Sequence, residues 1–162
     1  MRLLKHLFPP SAKRLFPGES LQRIAQAIAE SERLHTGEIC FAVEPALHPR
    51  AVLGGRDARS RAHEVFAQLR VWDTQANNGV LLYLLLADHR IEIVADRGFQ
   101  GRVSDEQWRG VCQLIEERLR AGEPETAVLG GVQALSELVV EHFPRGDGDH
   151  DANELQDLPY VL

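Results

Sequence analysis

The sequence has few cysteines and no long apolar run. Its two cysteines, Cys40 and Cys112, stand among apolar neighbours, so neither a disulfide framework nor a zinc-binding spacing is present. The longest apolar run, residues 80–87, is far shorter than the roughly 20 residues that cross a bilayer. Pro9 and Pro10 interrupt the basic and apolar start, and no signal-peptide cleavage site follows. These absences exclude a disulfide-rich or membrane-spanning protein and favour a cytoplasmic one.

Basic charge is also scarce. The formal net charge is −6, which argues against a nucleic-acid partner because phosphate binding needs a concentrated Lys/Arg surface. Residues 1–16 nevertheless carry four basic residues and no acid, whereas residues 145–162 carry five acids and one arginine. We predict an amino-terminal arm at residues 1–16, a domain at 17–144 and an acidic, disordered tail at 145–162. The arm could pack on the domain or on a partner, or weakly contact a membrane surface.

Hydrophobic periodicity divides residues 20–143 into alternating helices and strands. Apolar residues at helical spacing predict helices over residues 20–35 and 57–72, and two more that begin after Ser104 and at Pro124. Residues 38–43 predict a first strand. Residues 79–86 are apolar on both faces, which is typical of a central strand with helices on each side. Residues 90–94 return from that strand as a hairpin, nearer an edge of the sheet.

The order of these elements predicts the fold class. The helix between the first two strands is long enough for a crossover, so these strands run parallel, and the hairpin makes the third strand antiparallel. We therefore predict an α/β protein, a three-layer α/β/α sandwich with a small mixed sheet of three to four strands. Leu84 should be buried in the central strand.

Residues 72–98 resemble the signature of the TPM domain family, named after thylakoid, photosystem-repair and nematode receptor-modulator proteins. Trp72 ends a helix, residues 78–81 read Asn-Gly-Val-Leu at the entry to an apolar strand, residues 88–90 read Asp-His-Arg at a hairpin, and Gly98 closes the motif. Residues 36–38, Thr-Gly-Glu, fit the same pattern before the first strand. The order of elements matches the family over about residues 20–143.

The resemblance implies an α/β/α sandwich, divalent-cation binding, chiefly of Ca²⁺, in some members, and acid phosphatase activity in some. Many members carry a signal peptide, a membrane anchor or both, so this chain resembles a cytoplasmic branch without either. It departs from the family pattern at two places: residues 96–98 read Asp-Arg-Gly where Gly-Tyr-Gly is common, and Asn77 stands at a position that is usually aspartate.

The topology also predicts where oxygen-bearing side chains meet. Because strands one and two are parallel and strand three returns, the loops before the first two strands and after the third should share one end of the sheet. Carboxylate and amide oxygens there suit Ca²⁺ or Mg²⁺, and no soft ligand accompanies them. We predict a metal site made of Glu38, Asp73, Asn78 and Asp96. Alternatively, Arg97 neutralises the carboxylates, or these residues only form turns and helix caps.

No motif for nucleophilic catalysis is present: the sequence has no Gly-x-Ser-x-Gly elbow and no phosphate-binding glycine loop, and its Cys-x5-Arg spacing, residues 112–118, lies inside a predicted helix rather than in a phosphatase loop. The leading interpretation is therefore an accessory module that binds a divalent cation or an unidentified protein partner. The alternative is a weak acid phosphatase in which a cation held by the same four residues polarises a phosphoryl oxygen. A structural scaffold without a ligand is the third interpretation.

Overall fold

The computed structural model of the protein describes residues 1–149 and 153–162. The helices are α1 (Arg2–Leu7), α2 (Ala12–Leu15), α3 (Gly18–Ser31), α4 (Pro49–Leu53), α5 (Ala58–Gln68), α6 (Asp105–Arg120) and α7 (Pro124–His142), and the strands are β1 (Glu38–Glu44), β2 (Gly79–Leu85), β3 (Arg90–Ala95) and β4 (Tyr160–Val161). The sheet order is β3-β2-β1-β4, with β1 parallel to β2 and β4, and β3 antiparallel to β2. The predicted α/β sandwich with a small mixed sheet is confirmed.

The two faces of the sheet bury separate apolar cores. The core on one face includes side chains of α3, α6 and α7, and the core on the other face includes those of α4 and α5. β2 is buried at every position because both faces are covered, and Leu84 lies in the first core as predicted. A Cβ on Gly131 would collide with Ile115, so glycine there allows α7 to pack closely on α6.

Local signals in the sequence set several helix ends. Ser104 and Gln107 form the predicted capping box of α6, and the Asp57 carboxylate accepts a 2.7 Å hydrogen bond from the N–H of Ser60 at the start of α5. Pro124 opens α7, a position where its missing N–H has no cost. The first predicted helix differs slightly, because α3 begins at Gly18 and ends at Ser31, four residues before His35.

The amino-terminal arm forms two short helices. His6 is buried, its Nε2 lies 3.0 Å from Asp88, and Arg2 binds the same carboxylate at 2.8 Å. Asp88 lies in the β2–β3 turn, where the sequence places it. Leu3 packs against the second core, whereas Leu4 and Phe8 are exposed rather than packed on the domain.

The carboxyl-terminal segment differs from the predicted disordered tail. Tyr160 and Val161 pair with β1, the N–H of Leu162 donates to the Val43 carbonyl (2.9 Å), and Leu155 packs against the second core. Main-chain pairing and these apolar contacts oppose the disorder that an acidic composition predicts. The part of that prediction on residues 150–152 lies outside the described residues. The division into arm, domain and tail stays a prediction.

Candidate metal centre

One end of the sheet collects the loops before β1 and β2 and after β3. The N–H of Glu38 donates to the Asn78 carbonyl (3.3 Å), and the N–H of Asp96 donates to the Gly79 carbonyl (2.9 Å). The topology therefore brings Glu38, Asn78 and Asp96 to one end, as the sequence predicts. Whether any of them binds a metal stays a prediction.

Asn78 lies on the opposite face of the sheet from Glu38. Side chains alternate between faces along a strand, and Glu38 shares its face with Cys40 of the second core, whereas Asn78 shares its face with Val80 of the first. The Asn78 amide is fully buried, with its Nδ2 3.4 Å from Oγ1 of Thr36. The Asn78 and Glu38 side chains therefore start from opposite faces of the sheet.

Asp96 is separated from Glu38 by main chain. Both residues flank Gly79 in the sheet, and a Cβ on Gly79 would collide with the carbonyl oxygen of Val71. The segment that contains Val71 thus occupies the space between the two carboxylates. Asp96 caps the 3-10 helix Arg97–Phe99 by accepting a 2.8 Å hydrogen bond from the N–H of Arg97.

The fourth predicted ligand, Asp73, lies at the surface. Its carboxylate is half exposed and pairs with Arg70 at 2.8 Å, three residues earlier in the chain. The proposed competitor, Arg97, contributes only its main-chain N–H to Asp96, and its guanidinium makes no ion pair within residues 1–149 and 153–162. The four predicted residues therefore share one end of the sheet, and whether they bind a metal together stays a prediction.

Glu38 instead belongs to a carboxylate cluster with Glu32 and Asp157. One ligand atom of each of these three residues lies within 4.8 Å of the others. Glu32 follows the last turn of α3, and its Oε1 accepts a 3.1 Å hydrogen bond from the N–H of Ile39. Glu38 begins β1, and its Oε1 accepts a 2.8 Å hydrogen bond from the N–H of Glu154. Main-chain donors thus fix one oxygen of each glutamate.

The carboxyl-terminal segment brings Asp157 to this cluster. Because β4 is parallel to β1, with Tyr160 opposite Ala42, the residues before β4 pass along the first half of β1. Glu154 also fixes the segment to the loop before β2, since its Oε2 accepts a 2.8 Å hydrogen bond from the N–H of Gln75. The third carboxylate therefore depends on docking of the tail.

Burial changes the protonation of the cluster. It raises the pKa of Glu32 to about 10, and the neighbouring Glu38 carboxylate adds to this shift. Burial also raises the pKa of Glu38, and it raises the pKa of the nearby Cys40 thiol to about 12. At neutral pH these raised pKa values favour protonated carboxyl groups in the cluster and a protonated Cys40 thiol.

One buried oxygen tests whether the cluster fits a cation. Glu38 is only 5% exposed, and no N–H or hydroxyl group of the described residues bonds to its Oε2. A proton shared with a neighbouring carboxyl group, an ordered water molecule or a cation can satisfy that oxygen. Three carboxylates without a soft ligand match the donors of Ca²⁺ and Mg²⁺, so the residues present fit such an ion.

The sequence analysis missed Glu32 and Asp157 for different reasons. Glu32 lies in the predicted first helix, where no feature distinguishes it from the other acids of that helix. Asp157 lies in the acidic segment, but residues 158–162, Leu-Pro-Tyr-Val-Leu, are a strand-like ending that could have indicated docking.

Comparisons with known proteins agree with this architecture. A family model described as the TPM domain matches residues 12–138. The solved NMR structure of the BA42 protein from the psychrophilic bacterium Bizionia argentinensis is similar, with 25% sequence identity and a TM-score of 0.80 over 94% of this chain and 99% of that one. No curated protein sequence matches. Among the described residues, no helix combines the length and the apolarity that crossing a bilayer requires.

Proposed function

Because the chain belongs to the TPM domain family, we propose that it is a divalent-cation-binding module in which Glu32, Glu38 and Asp157 are the ligands. The buried Oε2 of Glu38, which no N–H or hydroxyl of the described residues satisfies, is the observation that carries this proposal. Glu38 is also the one residue that the cluster shares with the ligand set predicted from the sequence. A Ca²⁺ or Mg²⁺ ion would supply positive charge at this point and would leave the main-chain hydrogen bonds of both glutamates in place.

Charge repulsion favours the binding of a divalent ion over an empty cluster. Three ionised carboxylates within 4.8 Å repel each other strongly in a buried site, and protonation relieves the repulsion at the expense of the negative charges. A divalent cation relieves it while the carboxylates stay ionised, so binding must release protons. Because the pKa values of Glu32 and Glu38 are raised, binding should strengthen as the pH increases.

Calorimetry with Ca²⁺ and with Mg²⁺ on chelator-stripped protein tests the proposal. We expect binding in the millimolar range or tighter, weakened at least about tenfold, or about 1.4 kcal/mol, in Glu38→Gln and in Asp157→Asn. Asp73→Asn and Asp96→Asn are matched controls, since both remove a carboxylate from the same end of the sheet. They should bind the ion as the unaltered protein does.

Two results would contradict the proposal. Absence of heat and of any thermal shift at several millimolar of either ion would exclude the site. Binding that weakens in Asp96→Asn but not in Asp157→Asn would assign the ion to the residues predicted from the sequence. Circular dichroism of each variant verifies that the fold is retained.

The same preparation addresses the acid phosphatase alternative. Hydrolysis of a phosphomonoester that stops on chelation and is lost in Glu38→Gln would make the protein a metal-assisted enzyme. Cation binding without turnover would make it an accessory module. A protein partner and a cytoplasmic location stay predictions, the second in keeping with two cysteines that are both free.

A further inference from the structure

The amino-terminal arm presents apolar side chains to solvent although it is firmly attached to the domain. Arg2 and His6 both bind Asp88, and the N–H of Leu47 donates to Nδ1 of His6 at 2.9 Å. Leu3 packs against the second core. Leu4 and Leu7 of the same short helix and Phe8, which follows it, are nevertheless exposed, Phe8 to 81%. The fold therefore holds these side chains outward.

The neighbouring helix α4 also exposes an apolar and a basic side chain. α4 packs beside α1, and its Leu53 is 73% exposed. Lys5 on α1 and Arg50 on α4 are exposed as well. We call these six residues the arm patch: Leu4, Lys5, Leu7, Phe8, Arg50 and Leu53. Clusters of exposed apolar side chains of this kind are typical of surfaces that contact another protein or a membrane.

The charge around the arm patch selects the kind of partner. Lys5 and Arg50 are exposed and form no ion pair with the described residues, whereas Arg2 and Arg56 are paired with Asp88 and Glu64. Asp88 is engaged by Arg2 and His6, and Asp57 also lies near Arg2. Apolar side chains flanked by lysine and arginine match an anionic lipid surface, in which the apolar groups enter the interface and the cations meet the headgroups.

We propose that the arm patch docks the protein on anionic membranes. The contact is peripheral and reversible, because one short helix buries little apolar area and each basic residue adds only about 1 kcal/mol near such a surface. A second copy of the chain docking patch to patch is disfavoured, since two cationic surfaces would meet. This proposal is independent of the carboxylate cluster.

Vesicle co-sedimentation tests the proposal, with chelator present so that no cation bridges acidic side chains to lipid. The protein should pellet with phosphatidylcholine vesicles that contain phosphatidylserine, but not with phosphatidylcholine alone, and salt should weaken the binding. Leu4→Ser/Phe8→Ser and Lys5→Glu/Arg50→Glu should each weaken it at least about tenfold.

Matched controls alter exposed residues elsewhere. Leu34→Ser/Leu158→Ser removes two exposed leucines, and Arg109→Glu/Arg120→Glu makes the same change in net charge on α6. Both should bind vesicles like the unaltered protein. No binding to phosphatidylserine vesicles at low salt, or equal binding by the arm-patch variants, would overturn the proposal. A dimer in sedimentation velocity that Leu4→Ser/Phe8→Ser dissociates, without vesicle binding, would assign the patch to a second copy instead.

Discussion

The two ends of β1 carry buried glutamates with opposite surroundings. Glu44, at the carboxyl end, receives two hydrogen bonds from Arg61 (2.9 and 3.0 Å) and one from the hydroxyl of Tyr83 (2.5 Å). Glu38, at the amino end, receives one main-chain hydrogen bond, from Glu154, and otherwise faces other acids. Both side chains lie on the same face of the same strand, so neither the strand nor the burial explains the difference.

The difference lies in where the positive charge comes from. At Glu44 the chain provides its own cation, and the carboxylate, guanidinium and hydroxyl satisfy one another as a structural network. At Glu38 the charge must be offset by protons or by an ion from solution. A buried acid that is paired with a basic side chain of its own chain is thus expected to stabilise the fold. A buried acid that has no such partner is a candidate for binding a cation from solution.

The largest expected effect comes from removing the cation at the Glu44 end. Arg61→Ala leaves Glu44 buried without its charge partner, and we expect a loss of roughly 3 to 5 kcal/mol in the free energy of unfolding, measured by urea denaturation. Arg70→Ala is the control, because the Arg70–Asp73 pair is exposed and should contribute under about 1 kcal/mol. Equal, small losses in both variants would remove the structural role of Arg61.

Neutralising the two glutamates should have opposite effects. Glu44→Gln weakens charge-assisted hydrogen bonds to Arg61, and we expect a loss of roughly 2 to 3 kcal/mol. Glu38→Gln relieves repulsion in the carboxylate cluster, so in chelator it should leave stability unchanged or raise it by about 1 kcal/mol. Thermal and urea denaturation of both variants measures this. Similar losses in the two would show that the ends of β1 are energetically alike.

Lowering the pH should have a smaller effect on the free energy of unfolding. It acts through His35, which is fully buried at the Glu38 end of β1. Burial lowers the pKa of His35 to about 4, and the positive charge of Arg145 adds to this shift. The hydrogen bond to the Gly37 carbonyl acts in the opposite direction. Below its ordinary pKa of about 6.5 the unfolded chain binds a proton that the folded chain does not, so this contribution is lost as the pH falls.

We therefore expect His35 to account for about 2 kcal/mol of lost stability between about pH 7 and about pH 5. Urea denaturation of the unaltered protein and of His35→Asn across this range isolates the contribution, because all other titrating groups are shared. An equal loss in both proteins would show that His35 does not titrate as its burial requires.

Most of the fold could be predicted from the sequence, and the candidate site only in part. The apolar run at residues 79–86 and the helical spacing within residues 20–34 identify elements directly, and their order places Glu38 and Asp96 at one end of the sheet. Order along the chain does not reveal that Val71 separates them, since that depends on how the end of α5 packs over Gly79. Asp157 could not be predicted as a member of the cluster from composition. Its position depends on the docking of an acidic segment, and main-chain pairing with β1 determines that docking.

The short strand β4 has a consequence for how chains associate. β1 is apolar along most of its length, and among the described residues its outer edge is bonded by the two residues of β4, by the N–H of Leu162 and by the Glu32 carboxylate at Ile39. If the tail left this edge, unpaired N–H and C=O groups on a hydrophobic strand would offer a template for edge-to-edge aggregation. An ion that holds Asp157 beside β1 would therefore also protect the protein against self-association through this strand.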